Sequence, residues 1–241
     1  MENNKISQAS LILGACLIIS AFIGAVTFYK VRNLDNALSV TGSAKKQITA
    51  DVAKWSGSFS RIVTVDNIKG GYAQMEQDLK VVKKFFTGKG IEEKDLVISP
   101  VFMNEQYKYN ATGDAPREYM LQQTVEIQSS DVVKITDLAK NTEEIIRNGV
   151  IFSPMSPEYY YSKLPEARID LLGEAVKDAR ARADKIAESS GKKVGAVKSV
   201  SVGVTQVTPV NSTDITDYGT YDTSKIDKEV MITVKAAFSL K

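Results

Sequence analysis

VAKWSGSFSRIVTVDNIKGGYAQMEQDLKVVKKFF, residues 52 to 86, changes its hydrophobic period half way along, and that change decides the fold class. From Val52 to Val65 the chain is rich in β-branched and aromatic residues, the composition of a strand. From Ile68 onward the apolar positions Ile68, Tyr72, Met75, Leu79, Val82 and Phe86 recur at steps of four and three, which is one face of an amphipathic helix. Asp66 stands where an N-cap is needed, and Gly88 and Gly90 end the run. A strand feeding such a helix predicts an α+β body.

The same alternation continues toward the C-terminus. Leu96 to Tyr109 resumes strand character and stops at the turn-prone NATGDAP, Asn110 to Pro116. Glu118 to Gln128 places Tyr119, Leu121, Gln123, Val125 and Ile127 on one side, a strand period. Asp131 opens a second helix through Val132, Ile135, Leu138, Ala139, Ile145 and Ile146, and Gly149 closes it. Val150 to Phe152 and Tyr159 to Tyr161 read as strand pieces broken by Pro154 and Pro157. The order from Val52 to Tyr161 is strand, helix, strand, strand, helix, strand, the βαββαβ pattern of a ferredoxin-like unit. A long third helix follows from about Pro165 to Ser190, with Gly191 as its C-terminal cap and Leu172, Ala175, Val176, Ala179, Ala183, Ile186 and Ala187 as its inner face. Two further strands, Val194 to Val207 and Ile226 to Leu240, flank the polar loop Thr208 to Ser224; an earlier strand, Leu38 to Gly42, precedes them all.

Ahead of this body lies ISQASLILGACLIISAFIGAVTFY, Ile6 to Tyr29, uncharged and closed by Lys5 and Lys30. At about 1.5 Å per residue it spans roughly 36 Å, enough to cross a hydrocarbon layer of about 30 Å. The expected organisation is a retained membrane anchor over residues 1–32 and a body over 33–241. Leu13, Gly14, Ala15 and Cys16 match a lipoprotein cleavage box, yet the apolar run continues past the cysteine to Phe28. Cleavage after Ala25 is disfavoured by the bulky Ile23 and by an apolar core longer than the roughly 7 to 15 residues of a signal peptide. Charge leaves the orientation open. Lys30, Arg32, Lys45 and Lys46 follow the helix and would hold the body in the cytoplasm by the positive-inside rule, whereas long downstream domains are translocated largely regardless of charge.

Composition removes whole classes of chemistry. The chain has no histidine, which excludes a Ser-His-Asp hydrolase, a histidine base and His-ligated zinc, iron or haem. Cys16 is the single cysteine and lies in the apolar segment, so the body has neither a disulfide nor a cysteine nucleophile. Of 31 basic and 29 acidic residues, all but Lys5, Lys30 and Glu2 belong to the body, where signs alternate as in Glu174, Lys177, Asp178, Arg180, Arg182 and Asp184. That is a solvated face; no nucleic-acid stripe is present. The carboxylates Glu92, Glu93 and Asp95, and Glu143 with Glu144, are the obvious acid/base candidates, but adjacent residues rarely converge on one substrate and solvated surface is the reading. Gly70 with Gly71, and Gly88 with Gly90, lack phosphate-loop spacing. The tyrosines Tyr159, Tyr160 and Tyr161, with Tyr107, Tyr109 and Tyr119, are candidates for lining a ligand groove or a subunit contact, with packing in a core or on a sheet face the favoured reading.

Four stretches carry a family resemblance: LSVTGSA (Leu38 to Ala44), FFTGKGIEEKDL (Phe85 to Leu96) with Gly90, Ile91 and Asp95, the pair Gly149 and Val150, and ARIDLLGEAVKDARARADKIAESSGKKVGAVKSVS (Ala167 to Ser201). Through them the body resembles the SIMPL-domain family, whose bacterial members include periplasmic immunogens and an oxidative-stress defence protein. The family usually has Pro-Asp-x-Ala after its opening strand; this chain keeps Asp51 and Ala53 and lacks the proline. The resemblance implies an α+β body exported across the inner membrane, ring-like or channel-like oligomers in some relatives, loosely defined envelope or stress roles, and no catalytic motif. The expectation is a single-pass inner-membrane protein with its body in the periplasm. It would be partnered by the bilayer through Ile6 to Tyr29 and by copies of itself, with no enzymatic activity, catalytic residue, cofactor, metal or nucleic acid. A membrane-tethered small-ligand-binding or enzymatic domain is the alternative.

Overall fold

A computed structural model describes residues 2–34, 37–106 and 116–241. In chain order, α1 (Glu2–Leu34) leads to β1 (Ala37–Thr49), β2 (Val52–Thr64), α2 (Ile68–Gly88), β3 (Leu96–Ile98), β4 (Phe102–Gln106) and β5 (Glu118–Ser129). Then follow α3 (Val132–Lys140), α4 (Glu143–Arg147), β6 (Phe152–Pro154), β7 (Glu158–Tyr160), α5 (Leu164–Ser189), β8 (Val194–Val202), β9 (Gln206–Pro209), β10 (Thr220–Tyr221) and β11 (Asp227–Leu240). The result is a mixed α+β chain with an apolar N-terminal helix and a sheet-rich body. The chain divides into two compact units interleaved in sequence. Met1–Lys45, Arg168–Thr205 and Met231–Lys241 form the first, and Lys46–Ala167 with Gln206–Val230 form the second.

In the second unit an antiparallel sheet runs in the order β3-β5-β2-β6, with β4 also on β5 and β7 also on β2. The period-2 pattern of β5 is realised as expected: Leu121, Val125 and Ile127 are buried, together with Gln123. They pack with the apolar stripe of α2 and with Ile135 and Leu138 of α3. Trp55 sits at the centre, its ring 5.7 Å from Phe86 and 6.2 Å from Phe152. Arg61 of β2 grips α2 through a forked pair of bonds to the buried Asp78, at 2.7 and 2.8 Å, and also donates to the Gly149 carbonyl at 2.8 Å. Asp131 caps α3 by accepting the Lys134 N–H at 3.0 Å. Asp66 does not cap α2: residues Val65–Asn67 form a 3-10 turn and the helix begins at Ile68. The strand expected over Leu96 to Tyr109 is cut at Ser99 and Pro100, because proline has no N–H to give a ladder. Its expected end at Tyr107 and Tyr109, and the turn from Asn110 to Asp114 and Ala115, lie outside the described residues.

In the first unit β11 lies between β1 and β8, and α5 packs on one face of this sheet. The buried stripe of α5 is Leu171, Ala175, Ala179, Ala183 and Ala187, strictly every fourth residue and almost all alanine. Small side chains let the helix come so close that a Cβ on Gly42 of β1 would stand 2.2 Å from the Ala175 carbonyl oxygen and 2.4 Å from the Ala179 nitrogen. Ile186, expected on this inner face, is instead 48% exposed. Two polar ties fix the helix. Asp178 accepts the Ser43 N–H at 2.8 Å, and Arg180 donates to the carbonyls of Gly195 and Val194 while lying 5.5 Å from the Phe238 ring. Gly191, at φ +69°, ends the helix in the left-handed conformation that glycine adopts without strain. The same unit contains α1, in which Leu13–Val31 is long and apolar enough to cross a membrane and has no buried residue.

Candidate functional site

The carboxylates singled out in the sequence do not converge. Glu92 pairs with Lys94 at 2.6 Å, Glu93 with Lys83, Glu143 with Arg147 at 3.1 Å and Glu144 with Lys89 at 3.5 Å. Each is an exposed ion pair of the kind that contributes about 0 to 1 kcal/mol. Among the described residues no three acidic or cysteine side chains gather as metal ligands would.

The tyrosines do converge, and they bring a residue that the sequence did not flag. Lys228 of β11 is completely buried, and its ammonium donates to the main-chain carbonyls of Tyr159 and Asp222. It lies 5.2 Å from the centroid of Tyr221, so its charge meets carbonyl dipoles and a π face and, among the described residues, bonds to no carboxylate. Burial lowers its pKa from the ordinary value, and the nearby Asp222 charge opposes that fall. Tyr221 stacks on Tyr160 at 6.0 Å and its hydroxyl accepts the Tyr161 N–H at 3.0 Å. Tyr160 donates its phenol to Glu158 at 2.7 Å, and this bond raises its pKa to about 12. Tyr159 contacts Thr136 at 2.9 Å; since the Thr136 hydroxyl donates to the Val132 carbonyl, the tyrosine is the donor. The cluster therefore fastens β7 to β10 and to the segment around Asp222. Just beyond it, Asp51 accepts both the N–H and the hydroxyl of Ser162 at 2.7 and 2.6 Å. Burial would raise the Asp51 pKa, but these bonds outweigh it and hold the carboxyl below its ordinary value.

Tyr119 belongs elsewhere. It faces Val63 whereas Tyr159 faces Ala53 on the same strand, which separates them by roughly 33 Å along β2. Tyr107 and Tyr109 lie outside the described residues. Beside Tyr159 runs an open groove of about 520 Å³ lined by Thr136, Lys140, Pro209, Val210 and Ser224 to Asp227. Its walls are mainly apolar and Lys228 does not reach it. The polar side chains along it are Thr136, Lys140, Ser224, Lys225 and Asp227, and Asp227 accepts the Thr49 hydroxyl at 2.9 Å.

A search of curated proteins finds no match to this chain. The family model of SIMPL, described as a protein of unknown function, matches residues 38–238, which takes in the whole second unit, the first unit without α1, the Tyr159–Lys228 cluster and the Gly42 contact with α5. The chain belongs to the SIMPL family.

Proposed function

We propose that this chain is a non-enzymatic cell-envelope protein, anchored in the inner membrane by α1, carrying its body in the periplasm and assembling with copies of itself. The observation that carries the proposal is the apolar stretch Leu13–Val31, long enough to cross a membrane and with none of its residues buried. A bilayer is the solvent that such a helix fits. The periplasmic side and a stress-related role rest on the resemblance to exported SIMPL relatives. A second reading, a tethered ligand-binding domain, is favoured only by the groove beside Tyr159.

Protease added to intact spheroplasts tests the location. Digestion of the body without breaking the membrane is the expected result. Digestion only after lysis would place the body in the cytoplasm, in line with the basic residues that follow α1.

A further inference from the structure

The two units treat their strand edges differently. In the second unit the outer strands are short: β3, β6 and β7 have three residues each and β4 has five. Short edges offer few unpaired N–H and C=O groups to another chain. In the first unit β8 has nine residues and pairs with β11 alone among the described residues.

The first half of β8 is guarded. Val197 faces Phe238 and Ser199 faces Ala237, so Lys198 is an extra residue in the ladder, a bulge that carries a charge. Past it the ladder is regular, with Val200 facing Ala236, Ser201 facing Lys235 and Val202 facing Val234. Gly203 donates its N–H to Thr233 on β11, so by strand alternation the N–H and C=O of Val202 and Val200 point away from β11. Side chains that face each other across a ladder share a sheet face. Ala236 and Val234 are fully buried there, whereas Val200 and Val202 are 42% and 54% exposed, and Val204, two residues on, is 44% exposed. The core face of the sheet thus runs out into solvent along an open edge.

We propose that this edge docks antiparallel on the same edge of a second copy, with Val202 on the two-fold axis. In that register Val202 faces Val202, while Ser201 and Val200 face Gly203 and Val204, the two residues just past the end of β8, which the pairing would extend. The contact is isologous and closes as a dimer. An axis at Lys198 would set two ammonium groups opposite each other. A bilayer is the poorer occupant, because the outward N–H and C=O groups would find no partners in hydrocarbon. A pairing this short buries well under the roughly 1,200 Å² of a stable soluble interface. It therefore depends on anchoring, which raises the effective concentration of neighbouring bodies. The inference rests on the self-assembly proposed above and names its surface.

The test uses the full chain in membranes, with Cys16→Ala and Val202→Cys, under mild oxidation. Directly opposed residues have Cα atoms about 5.5 Å apart, within disulfide reach. A disulfide-linked dimer is expected. Val197→Cys serves as the control, because in this register the two copies of residue 197 lie roughly 33 Å apart and should not cross-link. Val202→Lys, with folding checked by circular dichroism, should weaken self-association at least tenfold. Equal cross-linking at 197 and 202, or a cross-link only when Val202→Cys is mixed with Thr41→Cys on β1, overturns the proposal. So does a multimer that survives Val202→Lys without the disulfide, which would leave self-assembly itself intact. A monomeric unsubstituted chain overturns both.

Discussion

Lys228 keeps its ammonium away from water with two carbonyls and a tyrosine ring as company. Replacing it by methionine leaves the Tyr159 and Asp222 oxygens without that donor. Lys228→Met should cost about 1 to 3 kcal/mol, the penalty for buried acceptors left unmet. In hydrogen exchange the Tyr159 amide, which donates to Thr223, should lose protection before the centre of β2 does; unchanged exchange there would remove the fastening role. Tyr160 makes a sharper test. Its folded pKa of about 12 lies above the ordinary 10.0, so the stability it contributes is complete below pH 10 and is lost as pH rises through about 12. Ring carbon shifts in NMR should report that late titration, and Glu158→Gln should return it toward the ordinary value. The run Tyr159–Tyr161 was legible as a place to look. Lys228 was not, because a charged residue inside an apolar strand reads as outward-facing, and its partners lie at Tyr159 and in the loop before β11, where only the folded chain brings them.

At the scale of elements, what is local in sequence was legible and what is long-range was not. Asp131 caps α3 through a bond three residues away, and the α2 stripe packs as its spacing predicts. The second helix breaks instead at Asn141 and Thr142, and the two-residue strand β10 exists only because it pairs with β9 in parallel. The alanine stripe of α5 was foreseen, but its tightness depends on Gly42, more than a hundred residues earlier. Because the atoms that a Cβ there would strike are main-chain atoms of α5, they cannot swing aside. Gly42→Ala should lower stability by about 1 to 3 kcal/mol through overpacking, read as a shift in the denaturant midpoint. A neutral effect would mean that α5 rides higher on β1 than described.

For the whole molecule, the sequence reads as one body over residues 33–241, whereas the folded chain divides into two units. The chain returns twice to the first unit and once to the second, a long-range property that no window of residues carries. The apolar stretch Leu13–Val31, by contrast, is a single uninterrupted segment, and the anchoring proposed for it sets the setting in which weak contacts between bodies count. The account stands on self-assembly of anchored copies, and the mass of the detergent-extracted full chain, by sedimentation or light scattering, tests it most directly. A defined multiple of the 26.4 kDa chain is the predicted result. A strictly monomeric full-length protein at micromolar concentration would contradict it.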